Sequence, residues 1–152
     1  MNEPKWLEIA EEEAAKNVAE IPGPQANPRI VEYDQHTTLK ATSDEVPWCS
    51  AFANFCMDTA GIEGTDSAAA VSWMNWGIPL EKPVLGCVAV FTRPGGHHVG
   101  FYLKEAGDWI FALSGNASNK VRVGAYQRQR LMGYRWPANV PVPGLTPKAE
   151  EA

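Results

Sequence analysis

The chain has 152 residues, 45% of them hydrophobic and 20% charged, with six Trp, four Tyr and five Phe. That length fits one domain, and the composition supports a packed core and excludes intrinsic disorder, which needs low hydrophobicity and high net charge. A net charge of −5 steers the chain toward neither nucleic acid nor anionic lipid, and no apolar run nears the roughly 18–20 residues of a membrane span.

The start, MNEPKWLEIAEEE, lacks the basic and apolar regions of a signal peptide. The expectation is a monomer made in the cytoplasm. Residues 4–19 place Trp6, Ile9 or Ala10, and Ala14 on one helical stripe, with Glu11, Glu12 and Glu13 facing water. The helix ends before Pro22-Gly23-Pro24. From Gln25 to Val46 the polar sequence has little periodicity and contains Asn27-Pro28, which reads as a long ordered loop. In VPWCSAFANFCMDTAG, Trp48, Phe52, Phe55 and Thr59 share a helical face, Pro47 suits the first turn and Gly61 the stop. Cys49 therefore opens a helix. A short helix at 68–76 precedes a break at Gly77 and Pro79.

From Gly86 the pattern changes to strands. GCVAVFT, HVGFYLK, WIFALS, KVRV and LMGYRW are short, rich in β-branched and aromatic residues, and separated by turn residues. Helices first and antiparallel strands second predict an α+β fold with helices packed on a sheet of about five strands. The domain is expected over residues 1–140, with 141–152 a disordered tail.

Three cysteines make no even disulfide set, and Cys49, Cys56 and Cys87 lack the paired CxxC spacing of a zinc site or a redox motif. No metal and no cofactor are expected. A thiol at a helix N-terminus meets unpaired N–H groups and the positive end of the helix dipole, both of which favour the nucleophilic thiolate. Cys49 is thus a nucleophile or, more blandly, a small buried hydrophobe. Cys56, two turns along, and Cys87, in an apolar strand, read as core. A nucleophilic cysteine needs a histidine partner distant in sequence. His36 sits in the polar loop with a surface role. His97 shares a strand face with Val99, Phe101 and Leu103, and His98 one with Gly100 and Tyr102. Gly100 leaves room beside His98 for the Cys49 helix, which makes His98 the better general base. Ser114 and Asn116 share a face at the end of the next strand. Asn116 either orients the imidazole or simply forms a turn with its neighbours. Trp48 and Trp73, with Trp76, either line a cleft or pack in the core.

PWCSAF, GHHVGFY and LSGN, in that order and over that distance, resemble the papain-like cell-wall hydrolases of the NlpC and CHAP group. NPRIVEY, AGIEGTDSA and GYRWP resemble a compact phage and bacterial subgroup, and the likeness covers residues 5–137. It implies a papain-like fold with Cys49 as nucleophile, His98 as base and Asn116 as orienting residue. It also implies acyl transfer on an amide of the peptidoglycan stem peptide, in an endolysin-like setting where the enzyme acts on the wall after release. Two positions depart from the pattern: the histidine is doubled, and Ser114 stands where CHAP domains often carry an acid. Two rival readings keep the same fold: a cysteine peptidase or deamidase acting on a protein, and a non-catalytic binding module.

Overall fold

The computed structural model describes residues 3–21, 26–42 and 47–143. Helix α1 runs Lys5–Ala15 and buries Trp6, Leu7, Ile9, Ala10 and Glu13. Trp6 anchors it by donating from Nε1 to the Gly86 carbonyl at 2.7 Å. Glu13, expected to face water, is only 2% exposed. It sits at the i+7 position of the stripe that begins at Trp6, so helical geometry turns it inward. A buried carboxylate needs partners, and Glu13 has four contacts. Arg29 grips it bidentately, Nε to Oε1 at 2.7 Å and Nη2 to Oε2 at 2.6 Å. The Tyr33 hydroxyl donates to Oε1 at 2.6 Å and Lys16 Nζ to Oε2 at 2.8 Å.

Arg29 and Tyr33 belong to a helix that the loop reading missed. Helix α2, Pro28–Asp34, has Pro28 in its first turn and Asn27 as its N-cap, whose side chain accepts from the Arg29 N–H at 2.8 Å. Asn-Pro here is a helix start and not a turn, because a capping oxygen and a proline's missing N–H both suit the first turn.

Helix α3, Cys49–Thr59, matches the expectation, with Trp48 at the N-cap and Gly61 past the end at φ +81°. Every residue from Cys49 to Met57 is buried. Such a helix needs cover on all sides, and α3 is packed against α1 and α2 as well as against the sheet. Its polar residues are satisfied locally. Ser50 Oγ donates to the Ser67 carbonyl at 2.7 Å, and Asn54 accepts from the Asp66 N–H at 3.0 Å. The short helix expected at 68–76 is a 3-10 segment, Ala70–Asn75.

The strands are β1 Ile78–Leu80, β2 Val88–Arg93, β3 Gly96–Ala106, β4 Trp109–Ala117, β5 Lys120–Gln127 and β6 Leu131–Trp136. They form one sheet in the order β1-β6-β2-β3-β4-β5, antiparallel throughout. Six strands replace the five expected. The additional strand is β1, where a break was read at Pro79; as an edge strand it tolerates a proline. Val140 and Val142 pack partly buried against the core, and Trp136 Nε1 donates to the Val140 carbonyl at 2.8 Å. The expected tail lies outside the described residues from 144 onward. No helix among the described residues is long and apolar enough to cross a membrane.

Candidate active site

Strands β3 and β4 pair from Phe101↔Leu113 toward their far end and separate before it. On the other side, the register of β4 with β5 shifts between Ser114 and Ala117, and Asn116 takes φ 56°. The start of α3 meets the sheet at this irregularity. A Cβ added to Gly115 would lie 2.6 Å from Phe52 Cβ and 2.8 Å from the Trp48 ring. The close approach of α3 is therefore at Gly115 and not, as expected, at Gly100. The space at Gly100 is filled by β4 itself, with Ser114 Cβ 2.9 Å from where a Cβ would be.

Cys49 opens α3 with no side-chain cap in the way, so first-turn N–H groups are free to face its sulfur. The backbone N–H groups of Val99, Ser50 and Cys49 itself, together with the charge of Arg93, favour thiolate. Burial outweighs them and pushes the thiol up from its ordinary value. Cys49 thus rests as a thiol, 3% exposed.

His98 is 4% exposed. Its Nε2 lies 2.8 Å from Ser114 Oγ and 2.9 Å from the Tyr126 hydroxyl, and the two hydroxyls are 3.2 Å apart. The ring stacks on Tyr126 at 5.0 Å and 26°, and Tyr126 stacks on Phe91 at 4.7 Å. Burial, and next the Arg93 charge, bring the His98 pKa down to about 4. The imidazole is therefore neutral at pH 7. Hydroxyls both accept and donate, so they can hold a proton on Nε2 and leave Nδ1 as the basic nitrogen.

Among the described residues the ring's hydrogen bonds go to Ser114 and Tyr126, while Asn116 lines the same cleft without a hydrogen bond to the ring. The left-handed backbone at Asn116 breaks the alternation that would have put it on the face of Ser114. Tyr126 was missed because the expected strand stopped at Val123. Gly124 carried the signal: two residues before Tyr126, it leaves the space that the phenol fills, with Tyr126 Oη 2.7 Å from where a Cβ would be.

His97 is half-buried, opposite Thr92 in β2. His36 is held by Asp58, Nδ1 to Oδ2 at 2.7 Å, a partner its sequence neighbourhood did not suggest. Trp48 and Trp73, candidates for substrate contact, are fully buried. Trp48 Nε1 donates to Glu20 at 2.9 Å and Trp73 Nε1 to Ser50 Oγ at 2.9 Å. Both pack in the core with no surface to offer a ligand. Cys56 and Cys87 are buried as expected, and burial pushes both thiols up, Cys87 to about 12.

A cleft of about 470 Å³ opens beside His98, lined among others by Tyr126, Asn116, Trp109 and three arginines. Among the described residues no group of three His, Cys, Asp or Glu side chains is placed to hold a metal ion.

No protein-family description matches the sequence, and no curated protein is similar to it. A solved structure does resemble it in three dimensions: a Staphylococcus aureus protein described as similar to lipoprotein, NLP/P60 family. The TM-score is 0.53 at 16% identity, over 91% of this chain and 43% of the other. The chain shares the fold of an NLP/P60 protein. It spans less than half of that protein's length, and at this identity the likeness is one of architecture, an α+β papain-like fold.

Proposed function

We propose that the protein is a cysteine hydrolase that cleaves an amide bond of the peptidoglycan stem peptide, in an endolysin-like role. The observation that carries this reading is the thiol of Cys49, placed at the start of α3, where the backbone N–H of Val99, next to His98, favours its thiolate. The NLP/P60 fold supports the reaction class.

In the proposed reaction the Cys49 sulfur attacks the amide carbonyl while His98 Nδ1 takes the thiol proton. Thiol and imidazole both rest neutral, so proton transfer accompanies attack and no ion pair exists beforehand. The backbone N–H of Cys49, at the helix start, donates to the oxyanion in this reaction. His98 then gives the proton to the leaving amine as the carbon–nitrogen bond breaks, and water, deprotonated by His98, cleaves the thioester. Ser114 and Tyr126 hold the Nε2 proton and so fix the tautomer, taking the orienting role first assigned to Asn116.

The test is mass spectrometry of soluble fragments from purified diaminopimelate-type sacculi incubated with wild type and with Cys49→Ala. Release by wild type alone supports the reading, and the fragment masses name the bond. One observation favours a second reading, a non-catalytic module: Cys49 and His98 are only 3% and 4% exposed. A folded wild type that releases nothing favours that module.

A further inference from the structure

The cleft beside His98 has a charge character at odds with the rest of the chain. The protein carries −5 overall, yet Arg93, Arg122 and Arg130 all line the cleft, and no aspartate or glutamate lines it among the described residues. The arginines elsewhere show what pairing looks like in this fold: Arg29 is clamped to Glu13, and Arg128 holds Glu105 at 3.0 Å. The cleft arginines make no ion pair among the described residues. Arg130 Nε reaches the neutral Gln127 Oε1 at 3.2 Å, and Arg122 Nε reaches the Val123 carbonyl at 3.3 Å. Three unneutralised guanidinium groups around one concavity repel one another, and an acidic partner would relieve that repulsion.

We propose that this cleft is a carboxylate-binding subsite in which Arg93, Arg122 and Arg130 hold the free carboxylates of an acidic peptide beside His98. The inference rests on the hydrolase reading and adds what the substrate must carry. Its position is supported by the reach of the charges, since Arg93 acts on Cys49, His98 and Tyr126, and Arg122 acts on Tyr126. A carboxylate seated against Arg93 also lessens the charge that disfavours the imidazolium, so binding the right substrate makes His98 a stronger base. A volume of about 470 Å³ suits a few peptide residues. A nucleic-acid strand is disfavoured by the acidic remainder of the chain.

The test uses calorimetric titration of Cys49→Ala, which needs no turnover, with two probes. One is the stem tetrapeptide of diaminopimelate-type peptidoglycan, and the other is the same peptide with its carboxylates amidated. The expected result is binding of the acidic peptide that weakens with added salt, and at least roughly tenfold weaker binding of the amidated one. Arg93→Gln and Arg122→Gln are each expected to weaken the acidic peptide about tenfold, while Arg128→Gln, outside the cleft, leaves it unchanged. Equal binding of both probes, no effect of either cleft substitution, or equally tight binding of a short single-stranded oligonucleotide overturns the proposal. Binding by Cys49→Ala without any cleavage by wild type leaves the subsite standing and removes the hydrolase. Cleavage of acidic and amidated peptides with equal kcat/KM does the reverse.

Discussion

Two buried polar clusters in this molecule answer the same problem in opposite ways. Around Glu13, burial pushes the carboxyl pKa up, but the hydrogen bonds of Arg29, Lys16 and Tyr33 overcome it and hold the value down to about 2. Around His98, burial pushes the imidazole down to about 4 with no anion to resist it, and the nearby Arg93 charge adds to the push. The first cluster is therefore charged and ties α1 to α2. The second is neutral, made of a thiol, an imidazole and two hydroxyls, and it lies where two strands part. Burial alone drives a group to its uncharged form, and only a partner's charge decides otherwise. In this fold the fully partnered cluster holds its charge, and the one without a countercharge is left neutral.

The sharpest break between the two clusters is in what their removal costs. Cys49→Ala is expected to lower the rate of amide cleavage by about 10⁴-fold or more, with little change in the urea unfolding midpoint because one buried sulfur is lost. Unchanged cleavage would sink the mechanism. Glu13→Ala is expected to do the opposite. It should lower unfolding stability by about 2–3 kcal/mol, at the low end for a broken buried pair because Arg29 is 31% exposed and regains water. A loss below about 0.5 kcal/mol would show that the clamp is idle.

Acid separates the clusters a second time. Both lowered pKa values make the unfolded chain bind more protons, so stability falls as pH falls. For His98 the loss runs from its ordinary 6.5 through about 4, and for Glu13 from 4.5 through about 2. Glu13→Gln should remove the lower window from a pH series of urea midpoints and leave the upper one.

The polar partners of His98 give the next smaller effect. Ser114→Ala and Tyr126→Phe are each expected to lower kcat by roughly 10–10²-fold as the tautomer loosens. Ser114→Asp supplies the missing anion, and should move the acid limb of kcat/KM upward from about 4. An unmoved limb would show that position 114 does not act on the ring. At the small end, His36→Ala breaks a partly exposed pair with Asp58 and should cost no more than about 1 kcal/mol.

The sequence pointed to Cys49 and His98, the two proposed reacting groups, because each sits near an element's edge. Pro47 and the apolar stripe from Trp48 fixed where α3 begins, and the doubled histidine marked the mouth of a strand. What it hid lies where residue type and geometry disagree. Glu13 occupies the buried stripe of α1 yet looks like a solvent residue among three glutamates. Asn27-Pro28 has the composition of a turn but starts a helix. Alternation predicts that Ser114 and Asn116 share a face, and a single left-handed residue in β4 undoes it. Tyr126 was lost with the strand end, since Gly124 reads as a stop unless one sees the phenol that fills its space.

The most direct test of the proposed neutral thiol and imidazole is an NMR titration of the His98 ring nitrogens and carbons in the wild-type protein. The expected midpoint is about 4, with the proton on Nε2 across the neutral range. A midpoint at or above the ordinary 6.5, or a neutral ring protonated on Nδ1, would contradict both the environment assigned to His98 and its proposed role as the base for Cys49.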